Sequence, residues 1–316
     1  MKKKVLSIIM AVCMMTAAFT GCGSAKSEEV LEKLVFTYVT APLNVSSIVE
    51  REKGIFEKTF EDMDIAVEYA ELTSGADQTQ ALASGDVQVL YGVGASSVIL
   101  SAANGADIKI LNMFSRSPKA FCLYSNEESV ASPEDLRGKT IAGPAGTNLH
   151  ELLVSYLATA NMTIEDVNYV NMSIPETKAA LDGGSIDAAL LAGATAYQAS
   201  QQGYSLVTDG EGLIDAIIVV AVTEEFYNAH PEIIKKLEQA QEEISRFIKE
   251  QESEALEITA EALELDIAAV EEMYAYYDFS TEITEADKAG FQKTADFMFE
   301  NGMIEEKLDT SILFVK

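Results

Sequence analysis

The stretch ALASGDVQVLYGVGASSV, residues 81–98, has a counterpart 99 positions later, ALDGGSIDAALLAGATAY, residues 180–197. At that offset Ala81/Ala180, Leu82/Leu181, Gly85/Gly184, Gly94/Gly193 and Ala95/Ala194 are identical. Val87/Ile186 and Ser96/Thr195 are chemically alike, and Ser74 falls on Ser173. Each copy reads as a helix end, a glycine turn, a buried strand and a Gly-Ala-hydroxyl step into a new helix. The first glycine of each copy suits a helix C-cap, and the later one suits a tight strand-to-helix turn. A unit of this kind occurring twice predicts two similar lobes.

The surroundings of both copies alternate in the same way. Strand-like runs occur at LVFTYVT (34–40) and at 64–70, 87–93, 107–114, 138–142 and 186–192. Between them lie helical patterns. In NLHELLVSYLATA, Leu149, Leu152, Leu153, Tyr156, Leu157 and Ala160 recur on one helical face. This alternation predicts an α/β fold with parallel-dominated sheets. From Pro231 onward the chain reads as helical and acidic. Ile233, Leu237, Ala240, Ile244 and Phe247 trace one apolar stripe there, and the aromatics of EEMYAYYDF and FQKTADFMF are read as core.

Composition narrows the function classes. The 316 residues hold 51 acidic and 22 basic side chains, a formal net charge of −29. Such a surface repels nucleic acid, so no nucleic-acid partner is expected. A small anion responds instead to local dipoles, because a distant net charge is screened. His150 and His230 match no metal-ligand spacing, and the three cysteines (Cys13, Cys22 and Cys122) form no thiolate cluster. No metal and no cofactor are expected.

The N-terminus carries Lys2 to Lys4, then an apolar stretch from Val5 to Phe19 that is short for a membrane span, then small residues. Phe19-Thr20-Gly21-Cys22 resembles a bacterial lipoprotein signal, with Phe19 in place of the usual Leu. That resemblance implies a signal peptide at 1–21, a lipidated Cys22 and a tether over 22–33. The expected location is the extracytoplasmic face of the cell membrane, held through the lipid.

In open α/β sheets ligands bind outside the carboxyl ends of the strands, where helices begin. Helix N-termini offer unpaired N–H groups and a positive dipole end. Each lobe is predicted to present three such starts. In the first lobe they fall near Asn44, near Ser74 and Gly75 with Thr73 beside them, and near Ser96 and Ser97. In the second they fall near Thr147 and Asn148, near Ser173, and near Thr195. Ser, Thr and Asn are also favoured caps, so each residue alone fits capping equally well. The convergent set makes them candidate ligand contacts, together with Thr40. Tyr38 and Tyr91 are candidate pocket walls. GVGASS lacks the third glycine of a dinucleotide fingerprint, and GPAGTNLH lacks the lysine of a P-loop.

Residues 34–250 resemble the solute-binding proteins of bacterial ABC importers, in the branch of alkanesulfonate, taurine, nitrate and thiamine-precursor binders. The resemblance is carried by PLNVSSIVEREKGIFEK, TSGADQTQALASGDVQVLYGVGASSVILSAANGADIKIL, SPKAFCL, DLRGKTIAGPAGTNLHELL, GGSIDAALL, LVTDGEGL and TEEFYNAHPEIIKKL. It implies a periplasmic-binding-protein-like fold of type II, two lobes hinged by crossing strands at 119–125 and 216–223. Lobe 1 would comprise 34–118 and 224–316, and lobe 2 would comprise 119–223. The alkanesulfonate binders are the most similar branch.

The implied function is capture of a small organic anion in the interlobe cleft and delivery to an ABC permease and its ATPase, by a monomer, without catalysis. One departure stands out. Where related proteins often carry a Trp-Asp-Pro-type segment, this chain has AGATA (192–196), and it contains no Trp. A neutral heteroaromatic, such as a pyrimidine precursor of thiamine, is the alternative ligand. An enzyme on the same scaffold is the other class, but the iron site of the resembling fungal pyrimidine synthases needs more cysteines than one internal residue supplies. Arg116 and Lys119 are the basic residues nearest the first crossing. His150 is read as structural or as a cleft-edge residue.

Overall fold

The computed structural model describes residues 31–315, so Cys22 and the N-terminal signal lie outside the described residues. The first half of the chain supplies β1 (Lys33–Thr37), α1 (Val45–Lys53), α2 (Ile55–Phe60), β2 (Ala66–Ala70), α3 (Gly75–Ser84), β3 (Leu90–Gly94), α4 (Ala95–Ala103) and β4 (Lys109–Arg116). After a short connection come β5 (Phe121–Ser125), β6 (Thr140–Gly143), α5 (Asn148–Ala158), β7 (Asn168–Asn171), α6 (Ile174–Asp182), β8 (Ala188–Ala192), α7 (Ala194–Gln201) and β9 (Ser205–Asp209). The remainder is β10 (Ile217–Val222) followed by α8 (Glu224–Ala229), α9 (Pro231–Glu250), α10 (Glu252–Leu263), α11 (Ile267–Tyr274) and α12 (Glu285–Glu300).

The two lobes repeat one sheet plan. In the second, the strand order is β7-β6-β8-β5-β9; β7, β6 and β8 are parallel, and β5 runs antiparallel to both β8 and β9. In the first, β1 pairs in parallel with β2. A parallel bridge from Phe36 to Val89 and the bond from Thr37 N–H to the Val89 carbonyl (3.0 Å) carry β1 to the β3 side. There β10 runs antiparallel to both β3 and β4. The order β2-β1-β3-β10-β4 therefore matches β7-β6-β8-β5-β9. In each lobe four strands share a direction, and the one that enters after a crossing opposes them.

The duplication seen in the sequence is thus structural. Helix, strand and helix recur as α3-β3-α4 and α6-β8-α7. Residues 216–223, expected as a crossing on the second-lobe side of the boundary, instead supply β10, which is hydrogen-bonded into the first sheet. The chain crosses before it, through 210–216, and earlier through 117–120. These two connections touch: a Cβ on Gly210 would press on the Pro118 carbonyl oxygen.

Each sheet is buried by its own core. Leu90, Val93, Ile110, Met113 and Val219 pack with Phe291 and Met298 of α12 in the first lobe. Ala142, Ala189 and Leu191 pack with Leu181 and Ala199 in the second. Ile233, Leu237, Ala240 and Ile244 turn the apolar stripe of α9 inward as its spacing predicts. Among the described residues no helix is long and apolar enough to cross a membrane.

Candidate functional site

Six helices begin at the carboxyl ends of parallel strands, and their caps differ by position. The starts of α3 and α6, beyond the outer strands β2 and β7, are closed by side chains: Ser74 accepts from Asp77 N–H and Ser173 accepts from Glu176 N–H. The starts of α1, α4, α5 and α7 follow the inner strands β1, β3, β6 and β8. None of these four has a side-chain cap hydrogen bond. In both sheets they flank the place where strand order reverses, between β1 and β3 and between β6 and β8. Such switch points form the crevice where α/β sheets take ligands.

The four open starts meet in two cross-lobe pairs. At the first, Asn148 of α5 reaches α4. Its Oδ1 lies 2.8 Å from Ser96 Oγ and 3.4 Å from Ser96 N, and its Nδ2 donates to the Ile217 carbonyl at 3.3 Å. Ser97 Oγ donates to the Gly146 carbonyl at 2.9 Å, and a Cβ on Gly75 would overlap the Ser97 side chain. At the second pair Gly193, with φ of 55°, sits so close to the Pro42 carbonyl that a Cβ there would overlap it. Asn44, 1% exposed, donates from Nδ2 to the carbonyls of Val39 (2.8 Å) and Ala41 (3.2 Å), while its Oδ1 has no partner.

Sequence reasoning missed Glu151. This carboxyl is 5% exposed and bridges the lobes: Oε2 lies 2.5 Å from Ser96 Oγ, and Oε1 accepts from Thr294 Oγ1 at 2.9 Å. Burial raises its pKa against the lowering effect of those two hydroxyls; Asp215 adds to the rise and Lys293 opposes it. Hydrogen counting points the same way. Ser96 has one hydroxyl hydrogen for two oxygen neighbours, Asn148 Oδ1 and Glu151 Oε2, and its N–H fixes the Asn148 amide with oxygen inward. Both contacts are hydrogen bonds only when Glu151 carries a proton. The available signal was its place three residues after Asn148, on the same helical face.

Other expectations change with the geometry. Ser96 and Thr195 are first-turn residues, because Gly94 and Gly193 occupy the cap positions. Thr195 Oγ1 donates to the Ala192 carbonyl and Thr147 Oγ1 to the Pro144 carbonyl, each at 2.8 Å. The Thr40 carbonyl accepts from Asn44 N–H, and Thr73 is exposed. Tyr38 lies under Arg51 at 4.3 Å and edge-on to Tyr69. Tyr91, expected as a wall, is core, 3% exposed between Phe56 and Phe114.

Arg116 is committed elsewhere. Its guanidinium holds Asp287 by two bonds of 2.6 and 2.7 Å and binds the carbonyls of Ser280 and Glu282. His150 Nδ1 accepts from Gly146 N–H at 3.2 Å, its ring stacks on Tyr169, and burial lowers its pKa. Cys122 is buried, and burial pushes its thiol up to about 12, which makes it a poor nucleophile. Among the described residues no group of acidic, histidine and cysteine side chains could hold a metal ion.

A family profile described as NMT1/THI5 like matches residues 45–255, from the first turn of α1 into α10. The chain belongs to the NMT1/THI5-like family. Among curated relatives of this NMT1/THI5-like chain, a putative aliphatic sulfonates-binding protein of Bacillus subtilis (strain 168) is 27% identical over 313 residues, 97% of this chain and 93% of that protein. The taurine-binding periplasmic protein of Escherichia coli (strain K12) is 31% identical over 173 residues, 54% of this chain and 53% of that protein. The alkanesulfonate-binding protein SsuA from Xanthomonas axonopodis pv. citri, solved bound to MOPS, has a TM-score of 0.82 at 20% identity, covering 90% of this chain and 98% of that one. The aliphatic sulphonate binding protein SsuA of Escherichia coli has a TM-score of 0.74, also at 20% identity, over 89% and 97%. The NMT1/THI5-like chain therefore has the two-lobed, periplasmic-binding-protein-like fold of type II.

Proposed function

We propose that this chain is the solute-binding component of an ABC importer, taking a small organic anion such as an alkanesulfonate between its lobes and delivering it to the permease and ATPase. The observation that carries this reading is the set of four open helix starts at the two switch points. Their N–H groups and positive dipole ends favour an anion without needing an arginine, and of the six starts described above the two capped ones lie at the outer strands. Ser96, Ser97, Thr147, Asn148, Thr195 and Asn44 are the proposed contacts. Tyr38, Thr40, Thr73, Ser74 and Gly75 remain proposed at the rim. The relatives named as sulfonate and taurine binders support the same ligand class.

In this reading the lobes are 34–116 with 217–316, and 121–209, opening about the connections between them. Binding requires the paired starts to separate and close again around the solute. Lipid attachment at Cys22 would hold a monomeric receptor at the membrane face beside its permease. The test is a thermal-shift screen of the protein against ethanesulfonate, taurine, nitrate and a pyrimidine, since a ligand that binds only the folded state raises its apparent stability. A shift with sulfonates is expected. A shift with the pyrimidine alone would overturn the ligand class, and turnover of any of these compounds would overturn the receptor role.

A further inference from the structure

Beside the start of α7 lies a chamber of about 150 Å³ whose walls come from both lobes. Cys122 and Tyr124 of β5 and Tyr197 of α7 form one side. Met273 of α11, Tyr276 and Tyr277 form the other. The helix α11 packs on α10, which packs on α1 of the first lobe. Gly193 and Lys119 close the end nearest the paired starts. We propose that this chamber receives an aromatic ring carried by the anion, a deeper reading of the same site that rests on the function proposed above.

The lining has the chemistry for a ring. Four tyrosines, a thioether and an un-ionised thiol present polarizable, mostly apolar surface. An apolar cavity of about 150 Å³ is the size that accepts a benzene molecule. The sequence read the Tyr276 and Tyr277 segment as core. Tyr276 is instead 41% exposed. A large aromatic surface left in contact with water is what an occupying ring would cover.

The charges set the direction of the ligand. Gly193 both lines the chamber and begins α7, so an anionic head at that helix start places its substituent directly inside. Lys119 stands at the same end, paired with Glu211 at 3.1 Å, whereas Glu272 lines the chamber from the α11 side. A second negative group on the ring would face Glu272. The class is therefore a monoanionic aryl sulfonate rather than a dianion. A ring held between Tyr197 and Tyr276 also contacts both lobes, which rewards closure.

Titration calorimetry with benzenesulfonate, ethanesulfonate and phenol tests this on the wild type and on Tyr276→Ala and Ser200→Phe. Both positions line the chamber and are exposed. Benzenesulfonate is expected to bind about tenfold more tightly than ethanesulfonate. Each variant is expected to remove most of that advantage while leaving ethanesulfonate affinity unchanged. Equal affinity for both sulfonates, or an advantage that survives both variants, would overturn the chamber proposal and leave the receptor reading intact. Binding of phenol without binding of either sulfonate would overturn the anion reading and leave the ring site standing. No binding of any of the three would overturn both.

Discussion

Ser96 Oγ and Glu151 Oε2 approach to 2.5 Å across the meeting of the two lobes, and the hydrogen count assigns the proton between them to Glu151. Holding this carboxyl neutral at the contact would couple lobe closure to proton uptake. Because its folded pKa is raised above the ordinary 4.5, its stabilising contribution is complete below pH 4.5 and is lost as pH rises through the folded value. Glu151→Gln should therefore stabilise the protein relative to wild type increasingly as pH rises, with little difference in acid. Melting curves of both proteins from pH 4 to 9 check this. A Gln variant that loses stability relative to wild type as pH rises would show that the carboxylate, not the acid, is the bonded form.

Gly193 allows the second contact. Replacing it with Ala places a methyl group on the Pro42 carbonyl and strains a backbone at φ 55°. The lobes should be held apart, with solute affinity reduced about tenfold or more and a larger radius of gyration in solution scattering. Gly203→Ala is the control: its φ is 83°, but a Cβ there meets nothing within 4 Å. It should cost about 1 kcal/mol of stability without altering affinity. Equal affinity losses in the two variants would remove the steric argument.

Glu50 provides a second pH term, inside the first lobe. It is fully buried, accepts from Phe56 N–H at 3.0 Å and from Tyr69 O–H at 2.9 Å, and burial pushes its pKa to about 7 against those bonds. The raised value means stability is fully present below pH 4.5 and declines as pH passes about 7. Across that window the loss is of the order of 3 kcal/mol. Glu50→Gln should flatten the decline in denaturant midpoints between pH 4.5 and 7. An unchanged slope between pH 4.5 and 7 would show that Glu50 is already ionised in the folded state.

Arg116 should matter for stability and not for binding. Burial alone would raise the Asp287 carboxyl, but bonds from Arg116 and Thr284 outweigh it and hold it at about 2. Arg116→Ala strands that carboxylate, 5% exposed, and should cost roughly 2–4 kcal/mol in chemical unfolding. Sulfonate affinity of the folded variant should match wild type. A selective loss of affinity would place the guanidinium in the cleft.

The sequence carried the architecture because the repeat falls on the most buried strands. Residues Leu90–Gly94 and Ala188–Ala192 are almost entirely buried, so their apolar runs and bounding glycines were visible. The strands β7 and β9 escaped notice because they form a sheet edge and are half-exposed, leaving no continuous apolar signal. Tyr91 was misassigned as a wall because strand alternation separates two faces without saying which is capped by another layer. Glu151 was invisible for a related reason. An acidic residue within a helical pattern reads as solvent-facing until its partners, 55 and 143 positions away in the chain, are seen. Capping by Ser74 and Ser173 was legible, whereas the openness of the other four starts depends on three-dimensional placement.

The contact between Gly210 and Pro118 has a mechanical consequence. Both connections between the sheets run side by side, and each leads into a strand pinned between two neighbours, β5 or β10. Two tethers that lie together define a single axle. The lobes are then restricted to swinging about one line, and a bound molecule is registered as one angle rather than as a diffuse rearrangement. A membrane partner touching both lobes needs to sense only that angle to distinguish a loaded receptor from an empty one.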